Sequence, residues 1–398
     1  MIIKNLKILK GENLDLIEGS ITIKDGIIKN FNENEDKEIY DASGYLAIPC
    51  FINAHTHIGD SIAKDIGIGL TLKELVHPIY GLKKKILQQA KDDEIIEAMA
   101  SGMMDMLRQG ISYFCDFREG GKKGLYLIKE ALKRVKGIGA IILGRVEYYF
   151  KEEELIENKD LPDEVLRELE KLLEVCDGIG LSGANEYSDK ALFKIGELVR
   201  KKGKLLAIHA SESKETKEFS YEKTKMSEVE RSIKFLKPNF LIHLTQADDK
   251  DLELVKKNGI GVVICPRANA ELASGFPPVT KMLNLGLTVA LGSDNFMLNS
   301  PEFFKEMDYL LKISSVMEGK PYPLKPKEVL KMATINGGKL LNIKNSIDIN
   351  HKANLLFIDL KDKNLEGSKD IIATLVKRGR VENIKAIMIN GEWVYGRL

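Results

Sequence analysis

Cysteine is scarce in this chain, and its cysteines are widely separated. The 398 residues include four cysteines, and no pair has the Cys-x-x-Cys spacing. This distribution is typical of reduced thiols in a cytoplasmic protein, whereas disulfide frameworks occur mainly in secreted chains. We therefore expect a cytoplasmic protein with four free thiols, at Cys50, Cys115, Cys176 and Cys265.

The sequence also lacks a net charge and a long apolar run. It has 60 basic and 59 acidic residues, a formal charge of +1, which gives no field that would attract nucleic acid or an anionic membrane. No run of about 18 apolar residues occurs, so we expect no transmembrane helix. Residues 1–5 lack the apolar core and cleavage site of a signal peptide. We expect Lys83, Lys84 and Lys85 to form a solvated helix face, because basic stretches alternate with acidic ones.

Both ends of the chain have the character of short strands joined by turns. Apolar residues alternate over residues 17–23, and Lys24-Asp25-Gly26 is typical of a turn. Residues 352–398 have the same character, with a turn at Asn390-Gly391. Because chain termini often lie close together, we predict that the two ends form one small β-domain.

The middle of the chain alternates apolar runs with helical patterns. Eight such units are typical of a (β/α)₈ TIM barrel, so the predicted fold class is α/β. The runs are almost continuously apolar, as expected of parallel strands that are covered on both faces. The predicted strands are residues 47–53, 111–117, 138–146, 178–182, 205–209, 240–244, 261–265 and 287–291.

Four of the six histidines fall at predicted strand ends, where barrels of this kind carry their chemistry. His55 and His57 are two residues apart, so their side chains point to the same side of a strand. His209, His243 and Asp294 follow the fifth, sixth and eighth strands. Neutral imidazole suits zinc, iron, copper or nickel, so the pattern predicts a metal site. Taken singly, each residue is equally compatible with a hydrogen-bonded buried histidine or a helix-capping aspartate.

Three further segments carry a resemblance to a known family. They are residues 46–57, the turn Cys-Pro-Arg-Ala-Asn at 265–269, and Ala-Leu-Gly-Ser-Asp at 290–294. With these segments the chain resembles the metal-dependent amidohydrolase superfamily nearly end to end. The most similar branch contains deaminases of nucleobases, nucleosides and related N-heterocycles, together with the s-triazine chlorohydrolases.

The resemblance implies roles for the residues at the strand ends. The implied ligands of one catalytic metal are His55, His57, His209 and Asp294. Glu212, in a His-x-x-Glu motif, is the implied proton shuttle, and His243 is implied to contact the attacking water. Two-metal members usually carry a carboxylated lysine or a glutamate at the end of strand 4, and residues 178–183 contain neither. A single divalent metal is therefore implied, with zinc as the default and iron as an alternative that the ligand set does not separate.

The resemblance also implies an architecture and an assembly. A small β-sandwich domain would comprise residues 1–48 and 345–398, and residues 49–344 would form the metal-dependent hydrolase barrel. A homo-oligomer, specifically a homodimer, that acts on a small molecule fits the family.

Elementary chemistry gives compatible roles to the same side chains. A metal site with an open position provides hydroxide at neutral pH, because it lowers the pKa of bound water to about 7. Glu212 can then carry a proton to a ring nitrogen and on to the leaving amine; without such a site it would be a solvated residue of a charged loop. Asp294 would orient the hydroxide, and His243 would hydrogen-bond it or the developing oxyanion.

Two segments depart from relatives that deaminate adenosine-type nucleosides. Those relatives tend to carry Trp-Pro-x-Glu after strand 1, where this chain has His-Pro-Ile-Tyr at 77–80, and a histidine after strand 4, where it has Ser182. Both departures favour a different substrate. The candidate substrate contacts are His77, Arg145, Glu147, Arg267 and Asn269, for which ion pairs, packing and turn hydrogen bonds are equally compatible roles.

We therefore expect a metal-dependent hydrolase that deaminates a small N-heterocycle such as a nucleobase, pterin or nucleoside. An alternative keeps the site but opens a cyclic amide or displaces another leaving group; the released product, ammonia or a ring-opened acid, separates the two. A second alternative is a catalytically silent scaffold that binds a ligand or partner. Loss of a metal ligand or of the shuttle would mark such a scaffold, and the sequence retains all six residues.

Overall fold

The computed structural model describes residues 1–32 and 38–398. The strands in that part of the chain are β1 (Ile2–Lys10), β2 (Asp15–Lys24), β3 (Ile27–Phe31), β4 (Ile39–Asp41), β5 (Tyr45–Pro49), β6 (Phe51–His57), β7 (Ile111–Arg118), β8 (Gly139–Gly144), β9 (Gly178–Leu181), β10 (Leu205–Ala210), β11 (Phe240–His243), β12 (Gly261–Ile264), β13 (Val289–Leu291), β14 (Asp294–Asn295), β15 (Leu355–Asp359), β16 (Ile384–Ile389) and β17 (Glu392–Tyr395). The α-helices are α1 (Leu72–Val76), α2 (Leu82–Gln89), α3 (Asp92–Arg108), α4 (Gly121–Arg134), α5 (Glu152–Ile156), α6 (Asp163–Leu173), α7 (Asp189–Lys201), α8 (Lys214–Thr224), α9 (Glu228–Arg231), α10 (Asp249–Lys257), α11 (Pro266–Glu271), α12 (Val279–Asn284), α13 (Phe303–Glu318), α14 (Pro326–Ala333), α15 (Ile335–Leu340) and α16 (Ile371–Arg378). None of these helices combines the length and the apolar character that crossing a bilayer requires.

The middle of the chain forms a closed barrel of parallel strands. Strands β6 to β13 pair in chain order, each with the next, and helices connect them. The last barrel strand is bent: β13 pairs with β12, and β14, which begins after two intervening residues, pairs with β6. The sheet therefore begins and ends on one stretch of chain and closes on itself. This confirms the predicted (β/α)₈ TIM barrel.

Gly292 and Ser293 form the bend in the last barrel strand. A Cβ atom at Gly292 would lie only 2.8 Å from the Cβ atom of His55, so this approach to β6 requires glycine. Asn53 of β6 holds the next residue, because its Oδ1 accepts from the Ser293 N–H at 3.0 Å and its Nδ2 donates to Ser293 Oγ at 2.7 Å. The bend is thus fixed to the first barrel strand by a close backbone approach and two buried hydrogen bonds.

The first predicted strand, residues 47–53, is two strands in the structure. The run breaks at Cys50: β5 belongs to a sheet formed by the chain ends, whereas β6 opens the barrel and reaches His57. The Cys50 N–H donates to the carbonyl oxygen of Asn354, which lies next to the terminal sheet. Residues 46–52, on both sides of the break, are buried and apolar, so hydrophobicity alone does not locate it.

The two chain ends form one sheet, as predicted. Its strand order is β17-β16-β15-β5-β1-β2-β3, and β4 pairs in parallel with β1. The two predicted turns pack against each other, since a Cβ atom at Gly26 would lie 2.3 Å from the carbonyl oxygen of Asn390. The apolar core of this sheet includes Ile8, Ile21, Leu355, Phe357 and Met388. The domain limits at residues 48 and 345 stay a prediction.

The four cysteines lie inside the fold. All four are buried, and all are free thiols, as predicted. Burial raises the pKa of each thiol, so the side chains remain protonated at neutral pH. A buried protonated thiol is a poor nucleophile, and these cysteines therefore serve as small packing residues.

Replacing Asn53 with alanine should destabilise the barrel. The change leaves two buried groups of Ser293 without partners, and each unsatisfied group costs about 1–3 kcal/mol. We expect the free energy of unfolding to fall by about 2–4 kcal/mol, measured by urea denaturation. Asn258→Ala, which removes an exposed asparagine, is the control and should change stability by less than about 0.5 kcal/mol. Wild-type stability of Asn53→Ala would show that this pair of hydrogen bonds does not hold the closing strand.

Candidate metal centre and active site

Three imidazoles meet at the C-terminal ends of β6 and β10. Nε2 of His209 lies 3.2 Å from Nε2 of His55 and 3.3 Å from Nε2 of His57. Asp294, at the start of β14, places Oδ1 3.2 Å from Nε2 of His55 and 3.7 Å from Nε2 of His57. All four side chains are buried. The structure thus brings together the four residues that the sequence predicts as metal ligands.

The geometry and protonation of this cluster fit a divalent metal. Burial lowers the pKa of His55 to about 3 and the pKa of His209 well below its usual range, so both rings are neutral and offer lone pairs. In a tetrahedral site with Zn–N bonds of about 2.0–2.1 Å, neighbouring ligand atoms lie about 3.3 Å apart, which matches the spacing of these nitrogen atoms. Oδ2 of Asp294 has no hydrogen-bond partner in the described chain. A bound metal would satisfy lone pairs that otherwise face one another.

The backbone is sharply turned at three strand ends around this cluster. Ser211, His243 and Asp294 have φ angles of +49°, +76° and +61°. This left-handed conformation costs a non-glycine residue about 1–2 kcal/mol, and such strain is concentrated at functional sites. The turn at Ser211 carries the chain from His209 to Glu212, so both side chains reach the same site.

His243 and Glu212 lie beside the imidazole cluster. Nε2 of His243 is 3.5 Å from Oε1 of Glu212. Nδ2 of Asn269 lies 3.0 Å from Nδ1 of His243, and because an amide nitrogen donates, Nδ1 is the acceptor and Nε2 carries a proton. Burial raises the pKa of Glu212. A raised pKa favours the protonated carboxyl group, so Glu212 is suited to exchange a proton with a substrate.

The outer nitrogen atoms of the three clustered imidazoles have different surroundings. Nδ1 of His57 lies 2.9 Å from Oε1 of Glu119, and Nδ1 of His209 donates to the carbonyl oxygen of Leu181 at 2.9 Å. Nδ1 of His55 has no hydrogen-bond partner among residues 1–32 and 38–398. Glu119 is not among the site residues predicted from the sequence. Its position directly after β7, a strand end like those of the histidines, is the signal that points to it.

Lys83 lies at the edge of the site and not on a solvated helix face. It is 8% exposed, and its Nζ is 2.6 Å from Oε1 of Glu119 and 3.1 Å from Oδ2 of Asp60. The prediction of a solvated lysine run is therefore wrong for Lys83, because charge alternation does not reveal which lysine of a helix faces inward. Burial opposes ionisation of Glu119, but Lys83, His57 and Arg118 hold its pKa well below its usual range, so the carboxyl group is anionic.

Two of the predicted substrate contacts lie close to the site. Arg145, just after β8, is buried, and its Nη2 is 3.8 Å from Oε1 of Glu119, beyond hydrogen-bond distance. Asn269 is fully buried against His243, as described above. Glu147 forms an ion pair with Lys84. The geometry gives Asn269 a contact that orients His243, and substrate binding by Asn269, Arg145 and Glu147 stays a prediction.

Arg267 and His77, the last two of the five predicted substrate contacts, are engaged with neighbouring residues. Nη1 of Arg267 donates to the carbonyl oxygen of Ser300 at 3.1 Å and lies 3.5 Å from Oε1 of Glu306. The ring of His77 stacks on that of Tyr80, with 3.7 Å between the centroids. These contacts account for both side chains within the fold, and their binding of substrate stays a prediction.

The end of β9 carries a serine bonded to a glutamate. Ser182 donates to the carboxyl group of Glu186, and burial raises the pKa of Glu186 to about 8. Two groups of side chains in the described part of the chain could hold a metal. Both groups include His55, so they mark one location. Glu186 belongs to neither group.

Comparisons with known proteins identify relatives of this chain and proteins of similar fold. The chain is 43% identical over 378 residues to an uncharacterized protein of Methanocaldococcus jannaschii, with 93% of each chain covered. It is 28% identical over 410 residues to a 5-methylthioadenosine/S-adenosylhomocysteine deaminase of Caldicellulosiruptor saccharolyticus, covering 98% of this chain and 92% of that one. Its fold matches a crystal structure of an atrazine chlorohydrolase from Arthrobacter aurescens complexed with zinc, with a TM-score of 0.85, 16% identity, and coverage of 99% and 95%. The amidohydrolase family matches residues 46–394, and this chain belongs to that family.

Proposed function

We propose that this protein is a hydrolase that removes an amino group from a small N-heterocycle and uses one divalent metal ion, zinc by default and iron as the alternative. The observation that carries the proposal is the convergence of three imidazoles and Asp294, beside Glu212 and His243. The similarity to a deaminase of C. saccharolyticus supports the reaction, and the zinc in the A. aurescens structure supports the metal.

The side chains around the cluster have separate tasks in this reaction. His55, His57, His209 and Asp294 would hold the metal, which would supply hydroxide at neutral pH by lowering the pKa of water to about 7. Glu212 carries the two protons of the attacking water in turn, the first to a ring nitrogen and the second to the leaving amine. Asp294 orients the attacking water through its unpartnered Oδ2. His243, with its proton on Nε2, donates a hydrogen bond to the oxygen as negative charge develops.

The surroundings of the cluster favour a substrate other than an adenosine-type nucleoside. His77, in the segment where such deaminases tend to carry Trp-Pro-x-Glu, stacks on Tyr80, and Ser182 at the end of β9 is bonded to Glu186. The first segment lacks the glutamate of those relatives, and the second has a serine where they have a histidine. The homodimer and the cytoplasmic location inferred from the sequence stay predictions.

A second candidate function keeps the site but hydrolyses a cyclic amide or displaces another leaving group. Glu212 is compatible with this candidate, because a carboxyl group of raised pKa can donate a proton to an amine, to a ring nitrogen or to another leaving group. The name of the A. aurescens chlorohydrolase is consistent with a different leaving group on the same fold.

Purified protein should release ammonia from at least one member of a panel of aminated purines, pyrimidines, pterins, triazines and their nucleosides. A single catalytic site requires about one metal per chain, which elemental analysis measures in the same sample. A coupled ammonia assay identifies the substrate class. If metal-loaded protein released no ammonia but opened a cyclic amide, the second candidate would replace the first.

Glu212→Gln should keep the metal and reduce turnover by about a hundredfold or more. An amide cannot carry the proton, and Glu212 is not one of the four clustered ligands. The measurements are kcat on the substrate that the panel identifies and metal content per chain. Glu215→Gln, which changes an exposed glutamate in the first turn of α8, is the matched control and should retain activity. Full activity in Glu212→Gln would remove Glu212 from the mechanism.

Removing the metal with a chelator should abolish turnover, and adding Zn²⁺ to the metal-free protein should restore it. The protein side chains alone provide no hydroxide at neutral pH. Parallel addition of Fe²⁺ under anaerobic conditions tests the alternative metal. Turnover that survives in protein shown by elemental analysis to be metal-free would contradict metal-dependent hydrolysis.

A further inference from the structure

Glu119 binds the outer nitrogen of His57, on the side of the ring that faces away from the cluster. Its Oε1 lies 2.9 Å from Nδ1 of His57 and 2.6 Å from Nζ of Lys83, and its Oε2 accepts from Nη2 of Arg118 at 2.7 Å. Both carboxylate oxygens therefore have cationic or N–H partners. The carboxylate cannot rotate away from His57 without losing these contacts as well.

This contact determines which nitrogen of His57 faces the cluster as a lone pair. A carboxylate only accepts hydrogen bonds, so Nδ1 of His57 donates to it, and Nε2 is the nitrogen that can face a metal with its lone pair. The opposite tautomer would place a lone pair against the carboxylate. His209 obtains the same orientation from a neutral carbonyl oxygen, and His55 has no such partner in the described chain.

A second carboxylate binds the residues on both sides of His57. Oδ1 of Asp116 accepts from the side-chain Oγ1 of Thr56 at 2.9 Å and from the backbone N–H of Ile58 at 2.7 Å. Its Oδ2 lies 3.6 Å from Nη1 of Arg118, the residue that also binds Glu119. The two neighbours of His57 are held in this way, and Glu119 holds the imidazole ring itself.

We propose that Glu119 is a positioning residue that fixes the tautomer and ring orientation of His57 for metal binding, with Lys83 and Arg118 holding Glu119 in place. The inference rests on the metal site proposed above and adds a residue to it. Carboxylate partners of metal-binding histidines orient the ring and raise its basicity, and their loss typically costs about 10–100-fold in metal affinity.

The test is the zinc affinity of Glu119→Ala, measured by competition with a chelator of known affinity and without any turnover assay. Alanine removes the acceptor, whereas the amide oxygen of a glutamine would keep it. We expect the dissociation constant for zinc to rise by about 10–100-fold. Asp251→Ala is the matched control: it also removes a buried carboxylate, but Asp251 lies on α10 and bonds to Ser227, away from the cluster. Its zinc affinity should equal that of the wild type. Wild-type zinc affinity in Glu119→Ala would overturn the proposal.

A double variant separates positioning from simple charge balance. Glu119→Ala removes one of the two carboxylates beside Lys83, and Glu119→Ala with Lys83→Met removes both charges together. If Glu119 positions His57, zinc binding stays weak in the double variant even where its thermal stability returns to that of the wild type. Recovery of wild-type zinc affinity would show that Glu119 only neutralises Lys83, and would overturn the proposal. The two proposals can fail separately. If both variants bind zinc more weakly but the wild-type protein releases no ammonia from any compound of the panel, this inference is supported and the proposed function is not.

Discussion

The pairing of β14 with β6 is the interaction on which the site depends. Only two residues form this strand, and they pair with Thr56 and His57. The same short ladder closes the barrel and sets Asp294 beside the histidines of the first barrel strand. The contact is so close that glycine is required at residue 292. The same pairing therefore closes the barrel and brings Asp294 to the imidazole cluster.

Burial of so many ionisable groups is tolerated because two different arrangements compensate for it. The inner imidazoles avoid charge, since desolvation keeps His55 and His209 neutral. The outer groups keep their charges but alternate in sign: Glu119 lies between Lys83 and Arg118. An isolated buried charge is costly, and pairing with hydrogen bonds offsets part of that cost. The result is a nitrogen-rich centre surrounded by a shell of ion pairs.

The parts of this structure that depend on periodic patterns could be predicted from the sequence. Buried parallel strands are continuous apolar runs, and their C-terminal ends meet, so residues as distant as His57 and Asp294 could be assigned to one site. Features that depend on three-dimensional packing could not. The break at Cys50 lies within an apolar run, and the inward direction of Lys83 is hidden in a lysine run. The bond between Asn269 and His243 joins α11 to the end of β11.

The one-residue connection between β5 and β6 also sets an order of events during synthesis. β5 pairs with β15, which lies near the opposite end of the chain. The ribosome therefore releases the whole barrel sequence while one edge of β5 still lacks its neighbour. Unpaired strand edges are templates for association with other chains, and domains fold as units as they emerge. The nascent protein thus carries an open edge of β5 until β15 has been made.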